Sequence, residues 1–110
     1  MEKLTVNGDT YQKVSSKKIN QPSRPLPFSV GDKVFIRTVT LYYTGVITNI
    51  TGNWITLADA AWIADTGRFN NFLVDGKCNE YEGFPSGVHI PLGSIVDISP
   101  WAHTLFSGHK

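Results

Sequence analysis

The chain has 110 residues, a formal net charge of +1 and 41% apolar residues, with three Trp, four Tyr and six Phe. That composition suits one globular domain and excludes a disordered chain or a strongly basic nucleic-acid platform. A single cysteine, Cys78, excludes an intrachain disulfide, and no apolar run approaches the ~20 residues that span a bilayer. The opening MEKLTVNGDT lacks the apolar stretch of a secretory leader, so the protein is expected to be cytoplasmic when made.

Charge divides the chain near Phe28. Residues 1–27 carry five basic side chains (Lys3, Lys13, Lys17, Lys18, Arg24) against Glu2 and Asp9, whereas residues 28–110 carry five basic and seven acidic ones. A basic arm thus precedes a weakly acidic body. Within the arm, Asn7-Gly8-Asp9 between two β-prone runs predicts a hairpin over 3–14. Pro22, Pro25 and Pro27 predict an extended linker over 20–27, because each removes a backbone donor and disfavours helix before it. Lys17, Lys18 and Arg24 are the arm's candidate contacts to an acidic neighbour.

From Phe28 onward the pattern is β. Residues 33–40 (KVFIRTVT) are rich in β-branched and aromatic side chains that fit a pleated surface. Residues 41–51 follow, with Gly45 in mid-run marking a bulge or bend. Gly52-Asn53 is a tight turn into 54–63, and period-two alternation on both sides predicts antiparallel pairing. Asp65 reads as a helix cap, with Phe69, Phe72 and Leu73 on one helical face and Gly76 as the stop. A short helical insert near 66–75 is therefore expected. Residues 77–87 read as loop, 88–91 as a short strand ending at Pro91, 94–98 as a last strand, and 101–110 as a tail.

The densest chemistry lies in residues 59–69, which combine two carboxylates, an arginine, two aromatics and a glycine. As a ligand site, Trp62 or Phe69 would stack on a planar group, Arg68 would meet an anion, and Asp65 and Tyr43 would complete the rim. As plain architecture, the same residues make a capped corner, with Asp65 as cap, Arg68 paired to Asp59, and both aromatics in the core. His89, His103 and Asp97 are the only acid–base candidates. No nucleophile elbow, phosphate loop or metal-ligand spacing accompanies them, so neither catalysis nor a metal or other cofactor is expected. Trp101 and His103, beyond Pro100, are candidate contacts between copies.

Two segments carry a resemblance. Tyr43-Thr44-Gly45-Val46-Ile47 with Ile55-Thr56-Leu57-Ala58-Asp59 resembles the first motif of the Sm-like family of small SH3-type barrels, and residues 90–96 (IPLGSIV) resemble the second. Together they cover roughly 33–61 and 88–98. The resemblance implies a mainly β fold, a strongly bent antiparallel barrel, and homo-oligomeric rings joined at strand edges. It does not bring the family's base-binding residues: the loop 49–53 has no Asp, and Leu92 stands where the family has Arg. The stretches IRTVT, DAAWIADTGRF and VDISPWAH also resemble small bacterial and phage proteins. The expected function is a non-enzymatic, homo-oligomeric assembly module of phage derivation, part of a virion, with a nucleotide- or RNA-binding ring as the alternative.

Overall fold

A computed structural model describes residues 6–7, 9–10 and 26–110. In the arm, β1 (Val6–Asn7) pairs antiparallel with β2 (Asp9–Thr10); the rest of the hairpin expected over 3–14 lies outside the described residues. Residues 20–25 of the linker and the contact candidates Lys17, Lys18 and Arg24 lie outside the described residues.

The body is an open, antiparallel, six-stranded sheet with one helix among the described residues. Strands β3 (Lys33–Thr38), β4 (Tyr42–Thr51) and β5 (Trp54–Asp65) follow one another as a meander. The two-residue turn Gly52-Asn53 sets the register by placing Thr51 opposite Trp54. β5 is long enough to pair with two strands along its far side. β7 (Val88–Pro91) takes its first half and β6 (Glu80–Gly83) its second. A single 3-10 turn, Leu92–Ser94, then carries the chain to β8 (Ile95–Pro100), which pairs with β3 at the opposite margin.

Gly45 sits at a bulge. Thr44 faces Ala61 and Val46 faces Ala58, so β5 holds one more residue than β4 across this step. Asp59, on the longer side, has φ +51, the one positive φ of a non-glycine among the described residues. The extra residue resets the alternation. Ile55 and Leu57 before it, and Ala60 after it, all reach one core, while Ala61 and Ile63 turn to the other face.

Both faces of the sheet are consequently covered. The inner cluster joins Val34, Ile36, Ile47, Ile55, Leu57, Ala60 and Ile90, with Ile95 and Ile98 of β8 packed against it. Residues from both margins of the sheet thus meet over one core. The outer cluster joins Phe35, Ala61, Ile63, Phe72, Cys78 and Trp101. The helix α1 (Phe69–Asp75) and residues 101–110 build this second layer.

Several expectations need correction. Asp65 does not cap α1: it ends β5, paired to Glu80, and its Oδ1 accepts the Gly67 N–H at 2.8 Å. Strand pairing holds Asp65 extended, and the helix starts after Arg68, whose side chain makes no cap hydrogen bond. Of the expected helical face only Phe72 is buried; Phe69 and Leu73 remain exposed. Gly76 does stop the helix, in the left-handed conformation with φ +71, donating its N–H to Phe72 O. Residues 80–83 are strand rather than loop, because β5 runs on to Asp65 and offers them an edge. The segment 101–110 is no loose tail. Trp101 is 3% exposed, Phe106 packs on Tyr81 at 4.7 Å between centroids, and Lys110 exchanges backbone hydrogen bonds with Tyr81. His109 forms a bridge with Glu82, so the far side of β6 is covered by this chain's own residues.

Candidate functional site

Cross-strand partners share a face of the sheet, and that rule locates the expected ligand residues. Tyr43 and Trp62 are direct partners, next to Ile36 on the inner face, and Tyr43 stacks on Phe84 at 6.0 Å and 29°. Phe69 lies on the outer face, 6.1 Å from the Phe35 ring. Arg68 is exposed at the helix start, and Asp65 is engaged in its own turn. Trp62 and Asp65 line one hollow of about 390 Å³ together with Leu41, Tyr42 and Thr66; Tyr43, Arg68 and Phe69 do not line it. Arg68 forms no ion pair with Asp59, so the capped-corner pairing is absent as well.

The arginine that meets Phe69 is Arg37. Its guanidinium lies 5.3 Å from the Phe69 ring centroid and 5.8 Å from that of Tyr42, within reach of cation–π attraction. Asp97, the cross-strand partner of Arg37 on β8, accepts Nε at 2.8 Å and also accepts Nη2. These hydrogen bonds raise the Arg37 pKa further above its ordinary value and hold the Asp97 carboxyl below the usual carboxylate range. The cluster ties the exposed start of α1 to the β3–β8 pair. Asp97 engages the Nε and Nη2 donors, and the cluster reads as architectural.

The acid–base candidates do not assemble, because each has its own partner. Asp97 belongs to Arg37, and His89 Nδ1 lies 2.9 Å from Thr56 Oγ1. His103 Nε2 lies 2.8 Å from Leu73 O; since a carbonyl only accepts, that nitrogen carries the proton. The His103 ring also meets Trp101 edge-on at 4.9 Å. Trp101 and His103, expected at contacts between copies, are thus taken up within the fold. Cys78 is buried, and burial pushes its thiol pKa up, which keeps it in the unreactive protonated form.

A second concavity was not evident from the sequence. A cleft of about 630 Å³ lies between the bulge and the 101–110 segment, lined by Lys33, Asp59, Phe84, Pro85, Leu105 and Phe106. Lys33 donates from Nζ to His103 O at 2.7 Å, while the Asp59 carboxylate has no hydrogen-bond or ion-pair partner in the described structure. The only sequence signal for this cleft is Asp59 interrupting an apolar strand; Phe84 and Phe106 come together only through the fold.

The margins of the sheet differ. β6 is covered on its far side by residues 108–110, whereas among the described residues β7 and β8 each pair on one side only. The β3–β8 pairing shifts register between Arg37 and Thr38 of β3, leaving Val96 of β8 unpaired at the bulge and 61% exposed. No helix among the described residues is long and apolar enough to cross a membrane, and no group of three or more His, Cys, Asp or Glu there could hold a metal. No protein-family model and no curated protein matches the chain.

Proposed function

We propose that the chain is a non-catalytic assembly module whose copies join head to tail, the free edge of β7 in one pairing with the free edge of β8 in the next. The observation that carries this reading is topological. Two strands separated by one three-residue turn lie at opposite margins of the sheet, and each has one side unpaired among the described residues. An exposed strand edge is a template for another strand, and two different edges make a heterologous contact that generates rings when the rotation closes. The shared inner core, which draws Ile90 from one margin and Ile95 and Ile98 from the other, supports curling of the sheet into the small bent barrel of the Sm-like resemblance. The charge contrast between arm and body adds an electrostatic attraction, with Lys17, Lys18 and Arg24 facing an acidic neighbour. A phage particle is the larger assembly in keeping with the sequence resemblance.

Light scattering of the full chain tests this. A multimer is expected, and Val96→Asp should dissociate it by placing a charge on the edge. A monomer at all concentrations up to the millimolar range would end the proposal.

The nucleotide- or RNA-binding reading keeps one supporting observation, half-buried Trp62 lining its hollow. Quenching of tryptophan fluorescence by nucleotides or RNA would support it, provided that Trp62→Phe removes the response.

A further inference from the structure

The cleft between the β5 bulge and residues 101–110 contains opposite charges that do not neutralise one another. Lys33 and Asp59 both line it, yet they form no ion pair. Lys33 is the cross-strand partner of Val46, which is in turn the partner of Ala58. Their backbones therefore stand two strands apart, about 10 Å. The same cleft is lined by the apolar side chains of Phe84, Pro85, Leu105 and Phe106. Lys33 Nζ gives one hydrogen bond to His103 O, which fixes the ammonium and leaves donors over for a second acceptor. Asp59 is exposed and has no hydrogen-bond or ion-pair partner among the described residues. The volume, about 630 Å³, is that of a small-molecule site.

We infer that this cleft binds a short peptide with free ends, its terminal ammonium at Asp59, its terminal carboxylate at Lys33 and its apolar side chains against Phe84 and Phe106. The spacing selects the length. An extended chain advances about 3.3–3.6 Å per residue, so two to three residues run the roughly 10 Å between the two backbones, whereas a single amino acid covers about a third of it. The apolar walls select the side chains, since an aliphatic or aromatic residue buried there gains what a polar one would lose. The site depends on no contact between copies, so it stands or falls apart from the assembly proposal.

The test titrates the full-length protein with Ala-Leu-Phe, Leu-Phe and free Phe, and with N-acetyl and C-amide forms of the tripeptide, followed by amide chemical shifts. The tripeptide should move signals at Asp59, Phe84 and Phe106 at millimolar concentration and bind more tightly than free Phe. Acetylating its amine should weaken binding about fivefold, the loss expected of one exposed charge pair. Asp59→Asn should abolish the difference between free and acetylated amine. It should leave thermal stability unchanged, because Asn tolerates a positive φ as readily as Asp. Lys33→Gln should do the same for the carboxylate and its amide. No shift changes with the tripeptide, or equal affinity for free and blocked ends in the wild-type protein, would overturn the inference.

Discussion

Gly76→Ala tests how residues 101–110 are seated on the body. Gly76 closes α1 with φ +71, a conformation that costs an L-residue about 1–2 kcal/mol. A Cβ built there would lie 2.4 Å from His103 Cγ and 2.6 Å from His103 Cβ, so the imidazole must move. Moving it sacrifices the hydrogen bond to Leu73 O, worth about 1 kcal/mol, and the edge contact with Trp101. The two effects together come to about 2–3 kcal/mol, which for a domain of this size lowers Tm by about 10 °C or more. Thermal melts followed by circular dichroism measure the loss, and a second background separates its sources. In His103→Gly protein, which removes Cβ as well as the ring, the clash is gone, so Gly76→Ala should cost only the backbone strain, about 1–2 kcal/mol. An equal cost in both backgrounds would show that His103 does not sit over Gly76. A Tm within about 2 °C of wild type would refute the left-handed cap itself.

Four further outcomes follow from the packing. Gly45→Val should destabilise by about 1–3 kcal/mol in urea titrations, because even the first added carbon meets Leu57 Cβ at 3.0 Å and the Ala58 carbonyl at 3.2 Å, and neither atom can swing aside. Thr44→Val should leave stability unchanged or raise it by about 1 kcal/mol, since the Thr44 hydroxyl is fully buried with no hydrogen-bond partner and the substitution keeps its shape. Phe72→Ala should cost about 3–5 kcal/mol and expose Trp101, seen as a red shift of its emission, because the two rings lie 4.8 Å apart at the centre of the outer core. Asp97 has a lowered folded-state pKa, so its contribution to stability is complete above about pH 4 and is lost as pH falls through the folded value; Asp97→Asn should flatten that acid limb of the stability–pH curve.

Local chemistry was legible wherever one short segment carries the whole cause. The meander of β3, β4 and β5 follows from alternating apolar residues and a two-residue turn, and Gly45 and Gly76 mark a bulge and a helix stop by their lack of a side chain. Asp65 was misleading because a cap and a strand end present the same sequence: a carboxylate before a glycine and an apolar run. What decided between them was Glu80, fifteen residues away, which pairs with Asp65 and keeps it extended. The expected ligand cluster failed to converge for a related reason. Tyr42 and Tyr43 are neighbours in sequence but point to opposite faces, so Arg37 rather than Arg68 reaches Phe69.

Composition and periodicity, taken alone, determined a mainly β domain with one short helix and a basic arm, because hydrophobic alternation and turn residues act over a few positions. Only the tertiary structure decided that the sheet is covered on both faces, that residues 101–110 close the outer layer, and that Lys33 and Asp59 share a cleft. Those features depend on which strand edges remain open after the meander forms. Pairing across an edge is a contest among distant segments, and no local pattern records its winner.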